Sequence, residues 1–180
     1  MPMRRVSTAG RFAVLLATLV PLAAGCGGGP SPQAWAASVC SALTPWRAEI
    51  SKLTGSTGEQ MTARTTPAQA KENLVRLFSG AEQASETARR RVEEAGIPKA
   101  EHGAEVSAGF RDSLAKVRDA YGRARDTVDG LSVGRPTVFY DGVRAAVDTL
   151  NKEYDAGALD TSRLSSEELK RAFDEVPECR

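Results

Sequence analysis

Acid–base chemistry near neutral pH needs a group that titrates there, and this sequence offers one imidazole, His102, in "KAEHGAEV" beside Glu101 and Glu105. A His and a Glu three apart on a helix can give a metal two ligands. Closed zinc sites use four, and catalytic ones keep three from the protein. With no second histidine, any Ser-His-Asp or Cys-His arrangement would have to be built on His102. It stands next to a glycine near a helix start, so the expectation is an exposed and dispensable side chain, and no metal site is expected. Arg89, Arg90 and Arg91 follow one another in "TARRRVEE". Three successive helical residues span about 200° of arc, and Glu86, Glu93 and Glu94 lie within reach, so a solvated helix face is expected rather than an anion site. The 23 acids are scattered and single out no carboxylate pair of the kind glycosidases use. Phosphate loops, dinucleotide fingerprints and nucleophile motifs are absent, and no cofactor is expected.

Two indoles are better placed for contacts than for catalysis. Trp35 and Trp46 are three helical turns apart and share a face. With Tyr140, whose neighbour Phe139 belongs to an apolar stripe, they form a candidate binding face. The competing role for Trp35 and Trp46 is that of core anchors, since only 6% of the chain is aromatic and each buried ring matters.

The elements that must position these residues are helices. Ser31 and Pro32 supply a cap and a first helical position, after which Trp35, Val39, Leu43, Trp46, Ile50 and Leu53 recur every three or four residues. Glycines and hydroxyls in "TGSTGEQMTARTT" predict the end of that helix and a long loop. Thr66, Pro67 and Gln69 predict a capping box for a second helix, with Ala70, Leu74, Leu77, Ala81, Ala84, Ala88 and Val92 as its stripe, stopped by "AGIP". Its alanines imply a close helix approach. Val106, Phe110, Leu114, Val117, Tyr121, Ala124, Val128 and Leu131 mark a third helix. Phe139, Val143, Val147, Leu150 and Tyr154 mark a fourth, starting near Pro136. Ser165 with Glu168 predicts a cap for a short fifth, through Leu169, Ala172 and Phe173. Glu72 with Arg76, Glu86 with Arg90, Asp112 with Lys116 and Asp119 with Arg123 are spaced for pairing along helix faces. Strand-like alternation is absent over any useful length. The expected fold is all-α, an antiparallel four-helix bundle with a short C-terminal fifth helix, over residues 34–180.

The N-terminus has a different character. "MPMRRVSTAGR" carries Arg4, Arg5 and Arg11 and no acid, and Phe12 to Ala24 is an uncharged, mostly apolar run. That is the layout of a signal peptide covering residues 1–25, too short for the roughly 20 residues a membrane-spanning helix needs. "LAAGC", Leu22 to Cys26, resembles the lipobox of bacterial lipoproteins, with Ala23 where that pattern favours Leu. The resemblance implies diacylglycerol on Cys26, cleavage just before it, and a Gly/Pro tether through residue 33. An ordinary secretory signal cut after "LAA" or "AAG" is the other reading.

Removal of residues 1–25 takes away three of 24 basic residues and none of the 23 acids, leaving a formal charge of −2. A nearly neutral domain has no nucleic-acid footprint and no electrostatic attraction to anionic lipid. Three cysteines make an odd count. If Cys26 is acylated, Cys40 and Cys179 remain as a pair that an oxidising exterior would join. "GC" with its glycines, "WAASVCSALTPWRAEI" and the terminal "AFDEVPECR" together resemble small, uncharacterised lipoproteins of actinobacteria. The resemblance implies a lipid-anchored helical domain with one bridge at the outer face of the cell membrane, and no activity. The expected function is a non-catalytic module, attached to the membrane through its lipid, that binds an envelope protein or a small ligand. A carboxylate-based enzyme working in a bundle groove and a purely structural envelope protein are the alternatives.

Overall fold

The structure, a computed structural model, describes residues 28–157, 161 and 164–180. Cys26 and the apolar run before it lie outside these residues. Among the described residues there are five α-helices and no strand: α1 (Pro32–Gln60), α2 (Pro67–Glu94), α3 (Gly103–Asp129), α4 (Pro136–Gly157) and α5 (Glu167–Glu175), with a 3-10 turn at Pro177–Cys179. None of these helices is long and apolar enough to cross a membrane.

Local chemistry accounts for the boundaries. The Ser31 hydroxyl accepts from the Ala34 N–H at 3.2 Å and starts α1. Thr66 and Gln69 form the expected reciprocal box, in which each side chain accepts from the other's backbone N–H at 3.3 and 3.0 Å. Two expectations need correction. First, α1 does not stop after Leu53 but runs on through Gly55 and Gly58. The hydroxyls of Thr54 and Ser56 donate back to the carbonyls of Ile50 and Leu53, Thr57 is buried, and the loop shrinks to residues 61–66. Second, the cap of α5 is Ser166 rather than Ser165. Ser166 is buried, and its hydroxyl accepts from the Leu169 N–H at 3.4 Å.

The helices run up and down, α1 resting on α2, α2 on α3 and α3 on α4, while α5 and the C-terminal turn lie on α1. The core divides into two storeys along the α2–α3 hairpin. Near the start of α1, Trp35, Val39 and Leu43 meet Val92 of α2, Phe110 of α3 and Phe173 of α5. At the other end Leu74 and Phe78 of α2 meet Val117, Tyr121 and Val128 of α3 and Leu150 of α4. Trp46 touches both. Helix α4 covers only the second storey and ends with Gly157 against Ser113 and Val117, midway along α3; α5 then serves the first storey. Ala81 and Ala120, both fully buried, let α2 and α3 come close.

Cys40 and Cys179 form a disulfide with Cα atoms 5.1 Å apart, 139 residues apart in sequence. It ties the C-terminal turn to α1, and by the chain-entropy argument closing so long a loop contributes about 4–5 kcal/mol.

Candidate functional site

His102 precedes α3 in a left-handed conformation, φ 57°, and its side chain is about half exposed. Its ring nitrogens lie 3.6 Å from Glu101 and 3.3 Å from Glu105. Both carboxylates are more exposed still, so nothing encloses the trio. Among the described residues no three of His, Cys, Asp and Glu gather to hold a metal ion.

The arginine run is divided as helical geometry requires. Arg89 donates to both oxygens of Glu86 at 2.9 Å and to Glu93 at 3.1 Å, whereas Arg90 stands 4.0 Å from Glu86 in solvent. The wider network was not legible in the spacing. Arg118 of α3 reaches across to Glu86 at 2.8 Å, Arg125 of α3 meets Glu82, and Arg123 meets Glu153 of α4 at 3.0 Å. Hydrogen bonds from Arg89 and then Arg118 hold the Glu86 carboxyl at about 2, far below the usual carboxylate range. Glu86 also raises both guanidiniums. The groove of about 510 Å³ over this region is lined by Glu82, Glu86, Arg90, Arg118 and Arg125, and most of its charges already neutralise one another.

The three aromatic candidates separate. Trp35 is fully buried against Phe110 and Phe173, with ring centroids 5.4 and 5.9 Å away, and its indole N–H donates to the Gly96 carbonyl at 3.0 Å. Ser107 donates to the same carbonyl at 3.0 Å, which joins α1, the α2–α3 turn and α3 at one atom. Gly96 has φ +75°, a conformation that glycine adopts without strain. Trp46 is half-buried and donates to the Ser85 hydroxyl at 3.0 Å; that hydroxyl in turn donates to the Ala81 carbonyl at 2.8 Å. Both indoles are therefore satisfied inside the fold. Trp46 also lines a pocket of about 160 Å³ with Leu43, Phe110, Val117 and Tyr154. That is below the roughly 300 Å³ at which ligand sites usually begin, whereas a second groove, which Trp46 lines with Pro45, Glu49, Thr87 and Arg91, has about 300 Å³. Burial, with Tyr154 beside it, pushes the Tyr121 hydroxyl up to about 12.

Tyr140 stands apart from both tryptophans, in the first turns of α4, 37% exposed and packed edge-on against Phe139 at 5.1 Å. Near it are Val138, 51% exposed, and Val133, 38% exposed, in the α3–α4 turn. Neither valine was singled out in the sequence, where Val138 sits one residue from the stripe member Phe139. Ile97, at 55% exposed, is the other large apolar side chain turned to solvent among the described residues. No protein-family model, curated protein or solved structure matches this chain.

Proposed function

We propose that this chain is a lipid-anchored extracytoplasmic module that binds a protein partner through the end of the bundle farthest from its anchor, without catalysing a reaction. The observation that carries this reading is that exposed Val133, Val138 and Tyr140 all lie in the α3–α4 turn or the first turns of α4, while α1 begins at the opposite end. Exposed aliphatic groups beside a Tyr, which has a large amphipathic ring and few rotamers to freeze, suit a protein surface better than a small solute. The Cys40–Cys179 bridge supports an oxidising location, and "LAAGC" supports attachment through Cys26 at the outer face of the membrane.

A photoreactive phenylalanine analogue at position 140, in the anchored protein in living cells, tests the partner surface. We expect a discrete crosslinked species there and none from the same analogue at Asp112, an exposed position halfway along α3. Equal crosslinking from both positions, or none from either, would remove the basis for a binding end.

A further inference from the structure

Ile97 lies at the other end of the bundle, and the chain enters the domain beside it. The Pro30 carbonyl accepts a hydrogen bond from the Lys99 N–H at 2.8 Å. Gly29 passes so close to the α2–α3 turn that a Cβ there would strike the Ile97 carbonyl, and Gly28 lies against the Lys99 side chain. The glycines of "GCGGGP" are thus more than a flexible leader, because Gly28 to Pro30 are laid along Ile97 to Lys99. Cys26 is two residues from Gly28, a reach of about 7 Å at most. Whatever is attached to Cys26 must emerge at this turn.

Resting on the reading of Cys26 as the lipid attachment point, we propose that the α2–α3 end of the bundle is seated on the phospholipid surface, with Ile97 in the headgroup layer. A bundle whose helices rise 1.5 Å per residue then stands with its α3–α4 end about 40 Å out. Charge does not draw this end to the membrane. Exposed Glu94, Glu101 and Glu105 outnumber Arg91 and Lys99 there, so contact with anionic headgroups is unfavourable and the short leash sets the orientation. Salt, which screens that repulsion, is accordingly expected to strengthen the contact rather than release it.

The test uses the full lipidated protein reconstituted in vesicles of phosphatidylcholine and phosphatidylglycerol. With Cys26 acylated and Cys40 bridged to Cys179, Ile97→Cys or Tyr140→Cys introduces the sole free thiol, which carries a fluorophore. A spin label on the lipid headgroup should quench the probe at 97 at least threefold more than the probe at 140. Insertion of ten Gly and Ser residues after Gly27 should cut that difference to less than half while the protein still floats with the vesicles. Equal quenching at the two positions in protein that floats would overturn the orientation and leave the anchor standing, and a difference unchanged by the insertion would overturn the short leash as what sets it. Cys26→Ser addresses the anchor separately: flotation of that variant equal to the parent would remove the attachment reading itself.

Discussion

At the scale of single residues, His102 is where a chemical expectation and a conformational fact meet. The imidazole faces two exposed carboxylates and no enclosed volume, so its removal should leave binding intact, as the sequence suggested. Its backbone, however, is left-handed, at a cost of about 1–2 kcal/mol for residues with a Cβ. His102→Ala keeps that cost and should change stability by less than about 0.5 kcal/mol. His102→Gly removes it, offset in part by the greater freedom of glycine in the unfolded chain, and should stabilise by about 0.5–1 kcal/mol. Urea denaturation of the three proteins separates the two effects. A loss of stability in the glycine variant would show that the imidazole itself matters. Nothing in "KAEHGAEV" announced the positive φ; the glycine there stands at position 103, where a Cβ would strike the Pro98 carbonyl, and not at the left-handed position.

At the scale of helices, α2 and α3 are fastened twice, by small apolar residues on one side and by the Glu86–Arg89–Arg118 cluster on the other. The Glu86 carboxyl falls from 4.5 to about 2 on folding, so its contribution is complete above pH about 4.5 and is lost as pH drops towards 2. Partial exposure lets solvent screen the cluster, which reduces the worth of the shift to about 1–2 kcal/mol. Glu86→Gln should therefore destabilise by that amount at pH 7 and hardly at all near pH 2, as a series of urea midpoints against pH would reveal. Parallel pH curves for the two proteins would refute this. Periodicity was enough to expect α2 and α3, but it assigned Leu77 to the stripe where Phe78 and Ser85 are the buried positions. On a helix, residues 77 and 78 differ by about 100°, and only the neighbouring helices decide which of them faces inward. Ser85 is buried because the Trp46 indole needs an acceptor, a requirement set 39 residues away. The tail of α1 was hidden for a related reason. Glycine and threonine favour turns, yet here their helix is supported by Met61 and Leu53 packing on the second storey. The exposed groups around Val138 were the least legible of all, since a helical stripe does not reveal where a neighbouring helix stops covering it.

At the scale of the whole molecule, the bridge and the two storeys act on different parts. Cys40 lies in the first storey, so loss of the disulfide frees the C-terminal turn and α5, which cover Trp35 and Phe110. Replacing both cysteines with serine should lower stability by roughly 4 kcal/mol and the melting temperature by about 10 °C, measured by calorimetry with and without reductant. Equal melting temperatures with and without reductant would show that the two cysteines are not bridged in the folded protein. The same covalent closure bears on cutting of the chain. Surface proteases favour exposed connections such as residues 61–66 and 130–135. One cut at either place lies between Cys40 and Cys179, so both fragments stay joined, and whatever holds the N-terminal one holds the other. A nicked molecule would migrate as one band without reductant and as two with it, still carrying its outward surface. Within the loop the bridge closes, a second cut is needed before any piece of the domain can come away.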